Sequence, residues 1–305
     1  MEFFRTPHFK YISNRKYFFW LSGALGVMTV VSLLTRGPNL SIDFTGGTLV
    51  EATFTKAAVS IGDVRKALAQ AGLKDPQLQS VPGQNTVIIR FKSEEGLKQE
   101  LATQIESALA KAFPDNPVDK NRTRAEYVGP VVGQHLVGQA MLAIFSSMLG
   151  IALYVAFRFK SLVWGVSGVI ALVHDVFLTV GFLSLFNREI SITVVAALLT
   201  LAGYSINDTI VIFDRIRENI RLRGRTKEPL DILIDRSCNE TLSRTIITSL
   251  TVFLVLISLL VFGGEVIRDF SLALTFGVVI GSYSTIFIAS PIVYLWVTRR
   301  NKTLR

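Results

Sequence analysis

Two aspartates and one arginine stand in or beside long apolar runs, and their positions define the chemistry available to this chain. Asp208 interrupts Leu198 to Arg215, LLTLAGYSINDTIVIFDR, a stretch otherwise apolar enough to lie in a membrane. A charged side chain in hydrocarbon is costly unless it faces a bundle interior or a water-filled path, so this carboxylate reads as an ion or proton relay. The structural alternative is a position close enough to the membrane surface for water to reach it. Arg244 begins the next apolar run. If the two runs are antiparallel, Asp208 and Arg244 lie at similar depth, and a single proton would make or break an ion pair between them. A permanent structural pair that never titrates fits the same residues. His174-Asp175 falls near the middle of an earlier apolar run, which makes Asp175 a second relay candidate and His174 either its partner or a satisfied core residue. Asp175 with Asp208 also raises an intramembrane aspartyl protease, but Tyr204-Ser205-Ile206-Asn207 precedes Asp208 where such proteases carry Gly-x-Gly-Asp.

The elements that must position these groups are membrane spans. Half of the 305 residues are hydrophobic and the mean hydropathy is +0.45, which excludes a soluble fold. The apolar runs are Tyr17 to Leu34, Leu136 to Phe157, Leu162 to Phe186, Ile190 to Phe213, Ile246 to Phe262 and Phe270 to Val297. Each is near or beyond the ~20 residues that cross the hydrocarbon core. Lys and Arg cluster on alternate sides: Arg5, Lys10, Arg15 and Lys16 before the first run, eight from Arg215 to Arg244, and four from Arg299 onward. The positive-inside rule then places both termini in the cytoplasm. The expected organisation is a cytoplasmic N-terminal segment at 1–16, a first span at 17–35, an outer domain at 36–135, a five-helix bundle at 136–297 with a basic cytoplasmic loop at 214–244, and a cytoplasmic tail at 298–305. The basic loop is amphipathic, breaks at Gly224, resumes at Pro229, and is expected to lie flat on the inner membrane surface. Polar stripes mark the buried faces: Thr200, Gly203, Tyr204, Asn207, Asp208 and Asp214; then Arg244, Thr248 and Thr251; then Ser271, Thr275, Ser282 and Thr285.

The formal charge of +9 belongs to the cytoplasmic segments, because residues 36–135 carry twelve Lys and Arg against eleven Asp and Glu. It orients the chain and meets anionic lipid headgroups of the bilayer, with no nucleic-acid footprint. Cys238 is the only cysteine, so no intrachain disulfide exists. In the outer domain, Gly47 to Phe54 alternates as a strand, Ser60 to Ala71 has helical spacing with Ser60 and Asp63 as a capping box, and Gln77 to Val81 is extended. Asn85 to Phe91 is a strong strand, Glu95 to Phe113 an amphipathic helix with Leu97, Leu101, Ile105 and Leu109 on one face, and Arg122 to Val128 a last strand. The order β-α-β-β-α-β is the split, ferredoxin-like pattern, giving a fold class of six transmembrane helices with an α+β ferredoxin-like extracytoplasmic domain. This domain carries no metal-ligand cluster, no Ser-His-Asp set and no glycine-rich phosphate loop, so no catalytic residue, metal or cofactor is expected. Asp43-Phe44-Thr45-Gly46-Gly47 reads as a structural turn, and Val128-Gly129-Pro130 with Gly133 as a stiff and then flexible joint.

Asp43-Phe44-Thr45-Gly46-Gly47, Val128-Gly129-Pro130 with Gly133, Val173-His174-Asp175-Val176 and Gly203-Tyr204-Ser205-Ile206-Asn207-Asp208-Thr209, taken in order with six spans and a large first outer loop, closely resemble the SecD/SecF family of bacterial protein-export membrane proteins. The resemblance covers nearly the whole chain and extends to the resistance-nodulation-division superfamily of proton-driven transporters. It implies a subunit of the bacterial cytoplasmic membrane that works with SecD, helping to draw a preprotein from the SecY channel after SecA has pushed it, with the proton gradient as energy source. It also implies that Asp208 and Arg244 serve proton transport, and that this chain is half of a transport unit, in the separate form given its own Met1. The rival readings are a half-size lipid or drug exporter of the same superfamily and a passive translocon scaffold.

Overall fold

The computed structural model describes residues 7–73, 76–81, 84–92, 100–119, 121–223, 228–264 and 267–300. The chain divides into two units, residues 1–39 with 142–305, and residues 40–141. In chain order the helices are α1 (Arg15–Thr35), α2 (Ile42–Thr45), α3 (Ile61–Gln70), α4 (Glu100–Ala112), α5 (Pro130–Phe159), α6 (Leu162–Leu185), α7 (Ile192–Arg223), α8 (Leu230–Phe262), α9 (Arg268–Ser284) and α10 (Ser290–Arg300). The strands are β1 (Asn39–Leu40), β2 (Gly47–Thr53), β3 (Gln77–Ser80), β4 (Thr86–Lys92), β5 (Arg124–Val128) and β6 (Glu189–Ile190).

Residues 47–128 run strand, helix, strand, strand, helix, strand, in a four-stranded sheet ordered β3-β4-β2-β5. Neighbouring strands are antiparallel, with Gly47 opposite Lys92 and Thr53 opposite Thr86 in the central pair. Strand alternation separates two faces. Val50, Ala52, Val87, Ile89 and Phe91 meet Val64 and Leu68 of α3 and Leu101, Ile105 and Leu109 of α4, while Leu49 and Ile88 turn to the other face and join Ile42 and Val81. Each such aliphatic side chain removed from water contributes about 1.5–3 kcal/mol. The capping box at α3 is formed, with Ser60 Oγ accepting from Asp63 N at 3.1 Å and donating to Asp63 Oδ2 at 2.8 Å. The first turns expected for the second helix, including Leu97, lie outside the described residues, as do Arg5, Gly224 and residues 301–305.

The Gly46-Gly47 turn and the start of α5 are a close crossing of backbones. Gly46 and Gly47 have φ of +71° and +143°, in the region where only glycine is unstrained. A Cβ on Gly47 would collide with the Phe91 carbonyl oxygen, and one on Gly133 would stand 2.8 Å from Phe44 O. Gly133 is therefore no flexible joint: it sits inside α5, its N–H bonded to Gly129 O at 3.0 Å, and its missing side chain is what admits the Phe44 backbone.

In the bundle unit, the long helices α1, α5, α6, α7, α8 and α9–α10 are six segments long and apolar enough to cross a membrane. Helices approach closely where side chains are small, and a Cβ at Gly281 of α9 would be 3.2 Å from Ser205 Cβ of α7. Phe159, Trp164 and Phe213 form an aromatic cluster with ring centres 4.9 to 6.0 Å apart. The described part of the basic segment is not a separate element but an extension of its two flanking helices. It continues α7 to Arg223 and starts α8 at Leu230, giving helices of 32 and 33 residues. The apolar side of that amphipathic sequence is satisfied within the hairpin, where Ile212, Phe213 and Ile216 meet Leu233, Ile234 and Cys238. Its polar side is held by Arg215 Nε to Glu240 at 2.6 Å and by Asn219 Nδ2, which donates to Ser237 Oγ and Glu240 Oε2, each at 2.9 Å.

The segment before α1 is docked onto α8: Ile12 N donates to Asp235 Oδ1 at 2.8 Å, and the Asn239 amide donates to Phe9 O at 2.9 Å and accepts from Phe9 N at 3.1 Å. Burial, with the nearby Cys238 and Asp235, raises the Tyr11 phenol above its ordinary range, so it stays protonated and donates to Asn239 Oδ1. The last span is interrupted by a π-helical turn, Thr285–Ala289, which ends two residues before Pro291. Proline lacks an N–H and its ring clashes with the carbonyl four residues earlier, and a widened turn relieves both.

Gly47→Ala is expected to destabilise the α+β unit by roughly 1–3 kcal/mol. Gly62→Ala, inside α3 with Ser60 Oγ no nearer than 3.7 Å, is its control and should be neutral or stabilising. Proteolysis of the full chain in detergent, followed by fragments from residues 40–141, compares them; equal susceptibility would refute the close-crossing account.

Candidate functional site

Asp175, fully buried on α6, is the most heavily hydrogen-bonded carboxylate of the bundle's polar centre. Its Oδ1 lies 3.0 Å from His174 Nδ1, and its Oδ2 accepts from Ser205 Oγ of α7 at 2.6 Å and from Ser284 Oγ of α9 at 2.7 Å. His174 Nε2 lies 3.1 Å from Ser22 Oγ of α1, which in turn is 3.0 Å from the Tyr283 hydroxyl of α9. One carboxylate thus gathers α1, α6, α7 and α9. Such a site in hydrocarbon forms only because every polar atom finds a partner inside the bundle.

Asp208 lies one helical turn beyond Ser205 on α7 and is 7% exposed. Its Oδ1 accepts from Thr245 Oγ1 of α8 at 2.9 Å, and among the described residues its Oδ2 has no hydrogen-bond partner. The expected Asp208–Arg244 ion pair is not formed among the described residues. Arg244 is exposed, and its charge acts on Asp208 through space while the neighbouring Thr245 makes the contact. The physical reason is rotation: successive helix residues are about 100° apart, so the side chain that meets Asp208 is Thr245 and Arg244 is left exposed beside it. A second chain of hydroxyls flanks this contact, Tyr204 to Ser249 at 3.0 Å and Ser249 to Ser282 at 2.6 Å.

The structure brings Asp175 and Asp208 into neighbouring turns of the α7 face and leaves Arg244 at its edge. The polar stripes read from the sequence on α7 and α8 are offset in the same way, while Ser271, Thr275, Ser282 and Thr285 of the last span face inward as expected. Thr200, Gly203, Asn207 and Asp214 are exposed, and Thr248 and Thr251 on α8 are exposed too. The inward residues are Ser205, Asp208 and Thr209 on α7, and Thr245 and Ser249 on α8, a phase that the spacing Ser205, Asp208, Thr209, Ile212 carries in the sequence. Ser22, Tyr283 and Ser284 were missed because single hydroxyls in apolar runs give no periodic signal. Asp43, Gly46, Gly47, Gly129, Pro130 and Gly133 belong to the α+β unit's turn and helix start and not to this site. No group of three or more potential metal ligands occurs among the described residues.

Fold and site together define a polytopic helical membrane protein with buried carboxylates at the centre of its bundle. The model for Protein export membrane protein SecD/SecF, C-terminal, matches residues 106–299, and the SecD/SecF GG Motif matches residues 31–58. The chain is 46% identical to Protein translocase subunit SecF of Endomicrobium trichonymphae, covering 100% of this chain and 96% of that one. It is 45% identical to Protein translocase subunit SecF of Magnetococcus marinus, covering 96% and 93%. The crystal structure of SecDF from Thermus thermophilus, a translocon-associated membrane protein, matches with a TM-score of 0.84 at 36% identity, over 97% of this chain and 39% of that longer one. SecDF in its super-membrane-facing form matches with a TM-score of 0.70. The chain belongs to the SecD/SecF family of protein-export membrane proteins.

Removing Asp175 should cost more than removing Asp208, because Asp175→Ala leaves His174, Ser205 and Ser284 facing a void while Asp208→Ala orphans Thr245 alone. The expected losses are about 3 kcal/mol or more against about 1 kcal/mol. Thermal unfolding in detergent, read by tryptophan fluorescence in a chain that keeps the buried Trp164 and has Trp20 and Trp296 replaced by phenylalanine, gives the order, and the reverse order would contradict this assignment.

Proposed function

We propose that this chain pairs with SecD in the bacterial cytoplasmic membrane and uses the proton motive force to drive late steps of preprotein export. In this reading it sits beside the SecY channel, receives a preprotein already engaged by SecA, has both termini in the cytoplasm, and carries residues 36–135 outside as a ferredoxin-like domain. The strand order of that unit is the one such a domain requires, and the basic residues of the α7–α8 hairpin fit the cytoplasmic side. The chain acts as a transducer and not as an enzyme, without cofactor or metal.

The observation that carries the reading is Asp208: a buried carboxylate with one oxygen held by Thr245 and the other without a donor among the described residues. A proton arriving on the open oxygen removes the charge that strengthens the Thr245 bond and adds a donor that needs a new acceptor, so α8 is pressed to move against α7. Arg244, exposed and one residue before Thr245, sets the potential at that contact. Each charge crossing 100 mV releases about 2.3 kcal/mol, so a few protons per stroke are enough to reorient a domain against modest load.

Late-stage export of a reporter preprotein, measured in inverted vesicles with and without a proton gradient, tests this. Asp208→Asn at matched assembly should abolish the gradient-dependent part; an unchanged gradient response would make the chain a scaffold. Arg244→Met should weaken coupling more than Arg244→Lys, which keeps the charge, and equal loss would instead assign Arg244 a guanidinium-specific packing role.

A further inference from the structure

The hydrogen-bond directions around His174 fix where its protons lie. The Tyr283 hydroxyl has a single proton, and Phe18 O, 2.9 Å away, can only accept it. Ser22 must then donate across the 3.0 Å contact to the Tyr283 oxygen. With its one proton used, Ser22 Oγ accepts, so His174 Nε2, 3.1 Å away, carries a hydrogen. On the far side of the ring, Nδ1 and Asp175 Oδ1 are 3.0 Å apart and need one proton between them. Asp175 Oδ2 is already occupied by the donors Ser205 and Ser284. The tautomer is assigned here by the network, from a carbonyl at one end to a carboxyl at the other.

We propose that His174 and Asp175 form a one-proton dyad, neutral as a unit, whose tautomer is set from α1 and α9 through Ser22 and Tyr283. The proposal deepens the proton-coupling reading and rests on it only for its role in export. His174 is a positioning residue for Asp175: it holds Oδ1 while the two serines hold Oδ2. A second proton cannot enter without changing one of these contacts. On Oδ1 it opposes the Nδ1 hydrogen; on Oδ2 it displaces Ser205 or reverses Ser284, whose hydroxyl then accepts from Asp175 and donates to Gly281 O, 3.1 Å away, and so acts directly on α7 or α9. The groups facing the dyad are Ser22 from α1, Ser205 from α7, and Ser284 and Tyr283 from α9, the Tyr283 ring stacked on the imidazole with centres 6.3 Å apart. Asp208, one turn along α7 and bonded to Thr245, is a separate station.

The chain has only three histidines, His8, His135 and His174, and the first two are exposed. Ring-nitrogen NMR on the histidine-labelled full chain in lipid nanodiscs therefore resolves His174, assigned by the signal lost in His174→Gln. The expected result is a protonated Nε2 and a hydrogen-bonded Nδ1 throughout the range from about pH 5 to 8. Ser22→Ala, which removes the acceptor for Nε2–H, should shift the tautomer balance, and Asp175→Asn should shift the Nδ1 signal. An unprotonated Nε2, loss of the hydrogen-bonded Nδ1 signal within that range, or ring signals unmoved by both variants would overturn the dyad. These signals are read without export, so failure of the coupling reading would leave the dyad standing, and failure of the dyad would leave Asp208 untouched.

Discussion

The bundle depends on a constraint that hydrocarbon imposes on one carboxyl group. Asp175 has no water to turn to, so it must be met by donors from other helices, and those donors must arrive in a fixed geometry. Ser205 and Ser284 do so at 2.6 and 2.7 Å, and His174 carries the connection on to α1. Apolar packing alone would hold these helices in many rotations and registers, because lipid tails are as apolar as the side chains they replace. The polar centre selects one. Small residues make it reachable: Gly281, one turn from Ser284, lets α9 approach Ser205 closely enough for both serines to share one oxygen.

From that centre the structure spreads through three consecutive residues of α9. Ser282 bonds Ser249 of α8, Tyr283 bonds Ser22 and Phe18 of α1, and Ser284 bonds Asp175 of α6. The α-helix ends at Ser284 and the π turn begins at the next residue, so the most connected turn of the bundle abuts its least regular one. Widened turns of this kind recur at functional sites, where they place side chains that a regular helix cannot. Phe287 within it packs against Phe18 and Tyr11, which ties the turn to the segment docked on α8. A change in the proton load of either aspartate therefore has a short mechanical path to α1, α8 and the N-terminal segment.

The spans, the alternating strands and the Ser60–Asp63 cap were legible in the sequence because each rests on local periodicity or on a local hydrogen bond. The aspartates were legible because charge in an apolar run needs a cause. What the sequence could not fix was helix rotation. A stripe read at three- and four-residue steps has two or three neighbours of equal merit, and a shift of one residue turns the face by about 100°. That is how Arg244 displaced Thr245 as the expected partner of Asp208, and why Thr248 took the place of Ser249. The fate of the basic segment between Arg215 and Arg244 was illegible for a related reason. An amphipathic sequence fits a membrane surface or a helical hairpin equally well, and only the partners Glu240, Ser237 and Ile216 decide between them.

The proposed coupling requires α8 to move against its neighbours, and its most direct test is to stop that movement. Ser249 and Ser282, with hydroxyls 2.6 Å apart across α8 and α9, are replaced by cysteines in a chain whose buried Cys238 has been changed to alanine. Gradient-dependent export is then measured in vesicles before oxidation, after oxidation and after reduction. Coupling through α8 and α9 predicts that the disulfide abolishes the gradient-dependent component and that reduction restores it. Export that keeps its gradient dependence with the two helices locked would contradict it.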